Sequence, residues 1–392
     1  MDLCDKDCCT GCMACVNICP QNCINIFLDK EGFKYPNIDQ LKCINCGLCN
    51  KACPILNPLN YNNGKKTRAY AAWNLNNKIR YNSTSGGAFS ALAENILENK
   101  GIVCGVELIK SLEARHIIIN NIKELYKLQG SKYVQSDINH IYQDVKQYLE
   151  TDVKVLFSGT PCQIAGLYGY LLKNYENLFT VELVCHGVAS NLILNYCVQN
   201  IDKKVGSIVS VNFRDKKNGW QTSTISYKGN NIITSKSYKD LFMSTFYAGY
   251  SHRLSCYTCP FSTLPRIADL TLADFWGINE TIFSKKEYKK GISLILVNNE
   301  KGMSLLKSSI SKLYITERPL KEALKGNRNI ACARGYDVYV LNKRKLLFKL
   351  ISNNIPYKTI FKKIVSVSNK QRIARIIGLK ITKLIQNYTH RK

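Results

Sequence analysis

Eight of the 18 cysteines form two runs with the same spacing near the start of the chain. The first run reads C-T-G-C-M-A-C-V-N-I-C-P and the second reads C-I-N-C-G-L-C-N-K-A-C-P. Three thiolates two residues apart can hold three corners of an iron–sulfur cube, and the fourth, before a proline, ligates the other cube of a pair. The spacing therefore predicts two 4Fe–4S sites. We assign Cys9, Cys12, Cys15 and Cys53 to the first site, and Cys43, Cys46, Cys49 and Cys19 to the second.

Two other chemistries use cysteine-rich segments. Zinc ligands usually come as two pairs with a longer gap between them, and disulfide frameworks belong to secreted chains. Here a whole run occurs twice, and the start M-D-L-C-D-K has neither the basic nor the apolar region of a signal peptide. The runs resemble those of a bacterial two-cluster ferredoxin, so residues 1–56 are predicted to form such a domain. We expect a cytoplasmic protein whose cysteines are ligands or buried thiols.

Length and composition indicate a globular protein with more than one domain. The chain has 392 residues, of which 45% are hydrophobic, enough for two or three domains with a buried core. No stretch reaches the 18 or so apolar residues that a membrane span requires. The net charge is +27, and residues 341–392 contribute 14 Lys or Arg without any Asp or Glu.

Residues 57–67 are rich in Pro, Asn and Gly and are predicted to be a linker. Beyond it, apolar strands alternate with helical stretches to about residue 335, which argues for an α/β core. Predicted strands include Ala69–Trp73, Ile102–Leu108, Ile117–Ile119, Val153–Phe157, Thr180–Val184, Ser207–Phe213, Ser223–Tyr227, Ser293–Val297 and Leu313–Thr316; predicted helices include Gly87–Asn99, Ile138–Leu149, Cys162–Leu172, Asn191–Asn200 and Lys301–Ser309. The predicted class is α+β: a small ferredoxin-like domain, a larger mixed α/β domain at 68–335, and a basic helical tail at 336–392.

The tail is predicted to be helical with a break at Pro356. In Gln371–Gln386 the isoleucines fall near one face and most basic residues lie off it. Such a helix either lies on an anionic membrane surface or docks on its own domain with a solvated basic face, and the second reading is favoured. The tail has few aromatic residues and no recognised nucleic-acid module, so no specific nucleic-acid partner is expected.

Four cysteines of the second domain stand in turn contexts, in S-G-T-P-C-Q, V-E-L-V-C-H-G and S-C-Y-T-C-P. Cys162 and Cys185 are predicted to follow the ends of two strands, where open α/β sheets gather ligand sites. A single cysteine there is more often a small buried hydrophobic residue, but together with Cys256 and Cys259 they favour a third 4Fe–4S site. The remaining six are predicted core thiols (Cys104, Cys197 and Cys332) or lie near the two runs but outside their pattern (Cys4, Cys8 and Cys23).

Eight segments then carry a specific resemblance. They are N-S-T-S-G-G-A-F (82–89), Q-G-S-K-Y-V-Q-S (129–136), F-S-G-T-P-C-Q-I-A-G-L (157–167), C-H-G-V-A-S (185–190), F-R-D-K-K-N-G-W (213–220), S-C-Y-T-C-P (255–260), A-D-L-T-L-A-D-F-W-G (268–277) and K-G-I-S-L-I-L-V-N (290–298). In this order they resemble the beta subunit of the coenzyme F420 hydrogenase and dehydrogenase family. The resemblance implies a flavoprotein domain with FAD and one 4Fe–4S cluster, and it supports the four cysteines of the third site as ligands.

Iron–sulfur clusters transfer single electrons, whereas a deazaflavin or a nicotinamide transfers hydride. FAD would link the two, because it exchanges both single electrons and hydride. The Ser-Gly-Gly sequence opens a predicted helix, whose free N–H groups and dipole favour an anion such as a pyrophosphate. Candidate cofactor-binding residues are Ser85, Gly86, Gly87, Lys132, Gly159, Thr160 and Arg214. The catalytic group is not identified, and His186 and Lys132 are the candidates. Each candidate also has a purely structural explanation. The Ser-Gly-Gly sequence can simply start a helix, a lone Lys or Arg can be solvated, and His186 can cap the end of a strand.

The favoured function is an oxidoreductase that passes single electrons between ferredoxin-type clusters and FAD, and hydride between FAD and a deazaflavin, a nicotinamide or a small substrate. No G-x-G-x-x-G occurs, so a standard dinucleotide site is not supported. The fusion of a ferredoxin to this domain resembles stand-alone bacterial members met among polysaccharide-synthesis proteins, whose acceptor is uncertain. The alternative is a non-enzymatic adaptor that carries electrons to a partner enzyme.

Overall fold

Strands and helices alternate along most of the chain in a computed structural model, which describes residues 2–59, 62, 66–279 and 281–365, without the side chains of 202–205. The helices are α1 (Ala14–Ile18), α2 (Leu48–Ala52), α3 (Asn77–Asn82), α4 (Ala88–Glu98), α5 (Ile141–Glu150), α6 (Pro161–Leu171), α7 (Asn191–Val205), α8 (Leu241–Ala248), α9 (Lys285–Lys290), α10 (Glu300–Ser308), α11 (Leu320–Gly326), α12 (Val338–Ser352) and α13 (Tyr357–Ile364). The strands are β1 (Ile24–Leu28), β2 (Lys34–Ile38), β3 (Arg68–Asn74), β4 (Ile102–Leu108), β5 (Ala114–Ile119), β6 (Ser136–Asp137), β7 (Val155–Gly159), β8 (Leu178–Leu183), β9 (Ser210–Asn212), β10 (Thr224–Lys228), β11 (Ile232–Lys236), β12 (Leu270–Asp274), β13 (Ser293–Val297) and β14 (Leu313–Arg318).

Nine strands form one mixed sheet in the order β14-β3-β13-β12-β8-β7-β4-β5-β6. The four central strands β12, β8, β7 and β4 are parallel, and β14, β3, β13 and β5 join them by antiparallel pairs. Every residue of β7 and β13 is buried, as expected for strands covered by structure on both faces. The carboxyl ends of β7, β8 and β12 therefore lie side by side at one edge.

The first 56 residues contain one antiparallel hairpin and two short helices. Strand β1 pairs with β2 from Ile24–Ile38 to Leu28–Lys34. The turn closes because the Asp29 carboxylate accepts hydrogen bonds from the backbone N–H groups of Glu31 and Phe33, at 2.9 and 3.0 Å. Together with the mixed sheet, this hairpin confirms the predicted α+β class.

Most predicted elements are confirmed with shifts of a few residues at their ends. Strand β12 was not predicted, because a five-residue strand that ends in an aspartate and follows another gives too short a pattern. The strand predicted over Ser207–Phe213 is limited to Ser210–Asn212. Cys104 and Cys197 are fully buried as predicted. The prediction for Cys332 is wrong: it is exposed, because it lies in the irregular segment before α12.

The first part of the basic tail is built into the fold. Helix α12 ends before Pro356 and α13 begins after it, as predicted. Leu347 and Ile360 are fully buried in a cluster that also contains Phe33 of the hairpin. The predicted amphipathic helix Gln371–Gln386 lies outside the described residues. No helix in the described ranges is both long and apolar enough to cross a membrane.

The ferredoxin segment shares its packing with the larger domain. Met13, Ala14 and Ala52 belong to a core cluster with residues of α5, α6 and β7. Helix α12 adds an ion pair, because the Arg344 guanidinium donates to both Glu31 carboxylate oxygens and its Nε donates to the carbonyl of His252 at 2.8 Å. The segment is therefore held from two sides.

Gly169 marks the closest approach between helix α6 and the ferredoxin segment. A Cβ atom there would lie 2.2 Å from the carbonyl oxygen of Ala52, which is backbone and has little room to move. We expect Gly169→Ala to push α6 away from α2 and to lower the free energy of unfolding by about 1–3 kcal/mol. Thermal unfolding under anaerobic conditions measures this.

Gly105→Ala is the matched control for that substitution. Its added Cβ would meet only the flexible end of Leu128, at 3.2 Å. The control should unfold close to the native temperature. Equal loss of stability in both variants would contradict the close packing of α6 on the ferredoxin segment.

Candidate iron–sulfur centres

The two cysteine runs fold as two copies of one local structure. Helix α1 begins after Met13 and α2 begins after Gly47, and both preceding residues are left-handed, with φ of 62° and 75°. Each helix is five residues long and ends at an extended cysteine. Cys19 has φ/ψ of −69°/113° and Cys53 has −74°/115°. Equal spacing in the sequence therefore produces equal geometry at the fourth cysteine of each run.

Each of two cavities in the ferredoxin segment collects the four cysteines predicted for one site. The first is lined by Cys9, Cys12 and Cys15 of the first run and Cys53 of the second, together with Cys4. The second is lined by Cys43, Cys46 and Cys49 of the second run and Cys19 of the first, together with Cys23. The fourth cysteine of each run thus crosses to the other cavity.

The residues around both cavities suit an iron–sulfur cube. Each one is lined by the four predicted cysteines and one more, and apolar side chains such as Leu3 and Ile55 in the first, or Ile24 and Ile38 in the second, complete the lining. No three His, Cys, Asp or Glu side chains in the described part of the chain converge as they would on a single metal ion. A cube binds one thiolate per iron, so its protein ligands stand further apart than those of one ion.

The four cysteines predicted for a third site also come together. Cys162 is the second residue of α6, Cys185 lies two residues beyond β8, and Cys256 ends a 3₁₀ turn three residues before Cys259. Burial raises the pKa of Cys185, and the charges of the other three thiols raise it further. Burial and the neighbouring Cys259 likewise raise the pKa of Cys162 to about 11.

Helix α6 places the third group next to the first cavity. A Cβ atom on Gly166 would lie 2.9 Å from the Cβ of Cys12 and 3.1 Å from its Sγ. Gly166 is one turn from Cys162 on the same helix, a rise of about 6 Å. The hydroxyl of Tyr142 bonds at 2.9 Å to the carbonyls of both Cys12 and Gln163, which fixes α6 against the cysteine loop.

The N-terminus of α6 is capped by residues at the start of the helix itself. The side chain of Gln163 accepts hydrogen bonds from the backbone N–H and the hydroxyl of Thr160, at 2.9 and 3.0 Å, and Pro161 occupies the first helical position. This arrangement caps the helix. The Thr160 hydroxyl also lies 3.1 Å from the Sγ of Cys162. Thr160, predicted as a cofactor-binding residue, therefore positions a cysteine of the third group.

Arg253 joins the third group to the ferredoxin segment. Its buried guanidinium donates to the carbonyls of Cys9 and Lys34, at 2.7 and 2.9 Å, and its Cζ stacks 3.8 Å from the centre of the Tyr35 ring. The carbonyl of Arg253 in turn accepts from the N–H of Cys256, at 3.1 Å. One residue thus connects a loop of the first cavity to a loop of the third group.

A buried ion pair holds the other loop of the third group. Arg266 donates to Glu182 of β8, and both side chains are excluded from solvent. Thr271 donates to the same carboxylate at 2.9 Å, and the guanidinium also reaches the carbonyl of Phe261 at 2.9 Å. Phe261 lies two residues after Cys259, so the pair ties that loop to the strand before Cys185.

The predicted pyrophosphate loop lies beside basic residues, but two of its polar groups have partners in the protein. The hydroxyl of Ser85 donates to the carbonyl of Ile292 at 2.8 Å, and the N–H of Gly86 donates to the hydroxyl of Ser293 at 3.0 Å. Gly87 precedes α4 with φ of 86°, so the first-turn N–H groups of α4 are the donors this loop can offer an anion.

Lys216 contacts that loop directly, and Lys132 follows Ser131, whose N–H donates to the hydroxyl of Thr84 at 2.8 Å. Lys216 donates to the carbonyl of Ser85 at 2.7 Å, and burial followed by the nearby Arg80 lowers its pKa to about 7. Lys132 donates to the carbonyl of Gln129 at 2.8 Å, and burial lowers its pKa to about 7 as well. A bound anion would favour the charged form of both.

Arg214 lies at the carboxyl end of β12. Its Nη1 pairs with the Asp274 carboxylate at 3.0 Å, and Trp220 donates to the other oxygen of Asp274 at 2.6 Å. Its Cζ lies 5.2 Å from the centre of the Trp276 ring. Its Nη2 is buried and has no partner in the described part of the protein. The orphaned donor fits an anionic or carbonyl group of a cofactor.

The structure gives the other two candidates, His186 and Gly159, structural roles. His186 follows Cys185 directly, is exposed, and hydrogen-bonds through its side chain to Asn329, which is a structural contact. A Cβ on Gly159 would lie 3.2 Å from Gln163, so this glycine makes room for the cap of α6.

Three positioning residues were missed by the sequence reasoning: Lys216, Arg253 and Arg266. Lys216 stood in a quoted segment, but only the contact with Ser85 distinguishes it from a solvated lysine. The other two flank S-C-Y-T-C-P, and proximity to those cysteines was the one signal that could have indicated them.

Comparison with known families identifies both parts of the chain. Two family models of the coenzyme F420 hydrogenase/dehydrogenase beta subunit match the chain, the model of its N-terminal part over residues 69–142 and the model of its C-terminal part over residues 152–323. The model "4Fe-4S dicluster domain" matches residues 8–56. The predicted resemblance to the family and the predicted 4Fe–4S ferredoxin domain are both confirmed.

Three curated proteins illustrate the two parts of the chain. The coenzyme F420-dependent sulfite reductase of Methanocaldococcus jannaschii is 28% identical over 187 residues, which are 47% of this chain and 28% of that protein. An uncharacterised protein of the same organism is 22% identical over 80% of this chain and 89% of its own length. NADH-quinone oxidoreductase subunit I 2 of Geobacter metallireducens is 42% identical over 52 residues, 12% of this chain and 40% of that protein. The chain thus spans well under two thirds of the first and third relatives.

A solved structure of the F420-reducing NiFe hydrogenase complex from Methanosarcina barkeri contains a chain with 16% identity and a TM-score of 0.47, covering 74% of this chain and 89% of its own. The family matches indicate an iron–sulfur oxidoreductase that transfers electrons. Because the two beta-subunit models together cover more than half of the chain, this protein belongs to the coenzyme F420 hydrogenase/dehydrogenase beta-subunit family, with a two-cluster 4Fe–4S ferredoxin domain at its start.

Proposed function

We propose that this protein is an iron–sulfur flavoprotein that exchanges single electrons at the ferredoxin segment and hydride at an FAD in the larger domain. The observation that carries the proposal is the placement of Cys12 against helix α6, one turn from Cys162. Two groups of cysteines that belong to different parts of the sequence are thereby neighbours. Iron–sulfur clusters supply one-electron chemistry, and a flavin supplies the change from one-electron to hydride transfer.

The chain's own residues would hold three 4Fe–4S clusters. The ferredoxin cavities present Cys9, Cys12, Cys15 and Cys53, and Cys43, Cys46, Cys49 and Cys19; the third set is Cys162, Cys185, Cys256 and Cys259. Thiols bind iron as thiolates, so loading each site releases protons. Arg253 and the Arg266–Glu182 pair keep the loops of the third set in place.

FAD would bind near the carboxyl ends of the central strands. Lys132 and Lys216 offer positive charge, and the first turn of α4 offers N–H donors, for a pyrophosphate. Arg214 offers its unpaired Nη2, while Asp274 and Trp276 fix the direction of the guanidinium. We propose no catalytic acid or base, because neither His186 nor Lys132 has a geometry that requires one.

External electrons would be exchanged with a redox partner protein at the second ferredoxin cavity. Cys46 is exposed there, and its neighbours Leu41 and Ile44 are 99% and 60% exposed. The first cavity, in contrast, faces α6. The hydride partner would be a deazaflavin, a nicotinamide or a small substrate, and the polysaccharide-synthesis setting implied by the resemblance stays a prediction.

Cofactor analysis tests the proposal. Full-length protein purified without oxygen should contain about twelve irons, four for each cluster, and about one FAD. Coenzyme F420, NADH and NADPH should then be tried as reductants, with bleaching of the flavin and iron–sulfur absorbance as the measurement. Failure to retain or reconstitute any flavin would overturn the proposal. Flavin reduction without turnover by any of the three would favour the electron-transfer adaptor instead.

A further inference from the structure

The second ferredoxin cavity holds one cysteine more than a cluster needs. Cys19, Cys43, Cys46 and Cys49 satisfy the spacing of the two runs, yet Cys23 also lines the cavity and is only 3% exposed. A 4Fe–4S cluster takes one cysteine per iron. Five thiols around one cube therefore leave one unbound at any time.

A tight turn brings Cys23 against the cysteine that crosses from the first run. The N–H of Asn22 bonds to the carbonyl of Cys19 at 3.2 Å, and Asn22 itself has φ of 47°. As a result the two Sγ atoms, of Cys19 and Cys23, are 3.4 Å apart. The Cys23 thiol also lies within hydrogen-bonding reach of Cys43.

Sulfur atoms this close do not bind two different irons of one cube, because ligands on separate corners point away from each other. Cys19 and Cys23 therefore compete for one corner. Cys23 is also held firmly: its carbonyl accepts from the N–H of Asp39 at 2.8 Å, and it directly precedes the strand pair β1–β2. Its thiol is thus presented to the cavity by a fixed backbone.

We infer that Cys23 is a reserve ligand for the second 4Fe–4S cluster and can replace Cys19 at the same iron. In the exchange the Cys23 sulfur gives up its proton and binds iron, while the departing Cys19 sulfur takes up a proton. Protons and electrons balance, so no oxidant or reductant is required. The inference rests on the proposed second cluster, but it is independent of the flavin.

Cys4 shows why the inference is confined to Cys23. Cys4 lines the first cavity in the same way, but its Sγ contacts the carbonyl of Asp5 at 3.5 Å, and the described residues show no sulfur contact for it comparable to that between Cys19 and Cys23. The close sulfur pair is the feature that makes exchange geometrically direct.

Four full-length proteins, purified without oxygen, test the inference: the native chain, Cys19→Ala, Cys23→Ala, and the double variant. Iron and acid-labile sulfide are counted, and low-temperature EPR of the reduced protein reports the surroundings of each cluster. We expect both single variants to keep the native iron content and the double variant to lose about four irons. In Cys19→Ala the EPR signal of one cluster should shift, because its fourth ligand has changed.

Loss of about four irons from Cys19→Ala alone would overturn the inference, since Cys23 would then have failed to replace it. Cys197→Ala, which removes a buried thiol far from the cavity lining, controls for general effects of losing a cysteine. If Cys19→Ala does not yield folded protein, Cys19→Val, which also has no ligating atom, gives the same comparison with and without Cys23→Ala. Absence of flavin from all samples would count against the proposed function and leave this test intact.

Discussion

Replacing Cys256 by alanine should remove about four irons and leave the ferredoxin irons in place. Cys256 belongs to the group formed with Cys162, Cys185 and Cys259, whose charges act on one another. Loss of one thiolate leaves a corner of the cube without a protein ligand, and no fifth thiol among the described residues accompanies this group as Cys23 accompanies the second cavity. Iron analysis and EPR of the anaerobic protein are the measurements.

The same variant, Cys256→Ala, should also slow electron transfer between the flavin and the ferredoxin clusters. We expect hydride donors to reduce the flavin at close to the native rate while the ferredoxin signals become reduced about 100-fold more slowly, the upper range for a disrupted metal site. Rapid mixing followed by freeze-quench EPR separates the two events. Cys104→Ala, which alters a fully buried thiol of β4, is the matched control. Native iron content in Cys256→Ala would exclude the third cluster at these residues.

Glu182→Ala should be the most destabilising single change that spares every cysteine. The carboxylate is fully buried with Arg266, whose Nη2 already lacks a partner among the described residues. Removing Glu182 leaves a buried positive charge uncompensated, which costs about 3–5 kcal/mol. We expect a marked fall in the anaerobic unfolding temperature, and partial loss of iron at the third site because Arg266 also holds the loop after Cys259.

The double variant Glu182→Leu with Arg266→Met is the matched control. Replacing both partners of a buried ion pair by apolar side chains of similar size is often neutral or stabilising. It should therefore recover most of the stability that Glu182→Ala loses. A Glu182→Ala protein as stable as the native one would show that the ion pair does not hold this loop.

Local patterns in the sequence were enough to predict the two cysteine sites of the ferredoxin segment. Spacing of two and three residues determines which thiols share a short loop, and the repeated left-handed residue before α1 and α2 gives both runs the same shape. Three of the four central strands, β4, β7 and β8, were equally predictable, and β7 is apolar at nearly every position. These features depend on neighbours in the chain, so the order of residues suffices to predict them.

Contacts between residues that are far apart in the sequence could not be predicted from local patterns. Cys162 could be placed at the end of a strand, but its proximity to Cys12 follows from a glycine, Gly166, that lets α6 approach the cysteine loop. Arg253 bonds to the carbonyl of Cys9, 244 residues away, and no local periodicity marks such a contact.

The sequence by itself determined the cysteine runs and their spacing, the mixed α/β core and the family. Only the tertiary structure decided that Cys12 lies against α6, that Cys23 lies 3.4 Å from Cys19, and that α12 packs over the ferredoxin hairpin through Arg344 and Glu31. The physical reason is that thiol spacing is a property of one loop, whereas proximity between loops depends on how buried surfaces and paired charges from the whole chain fit together.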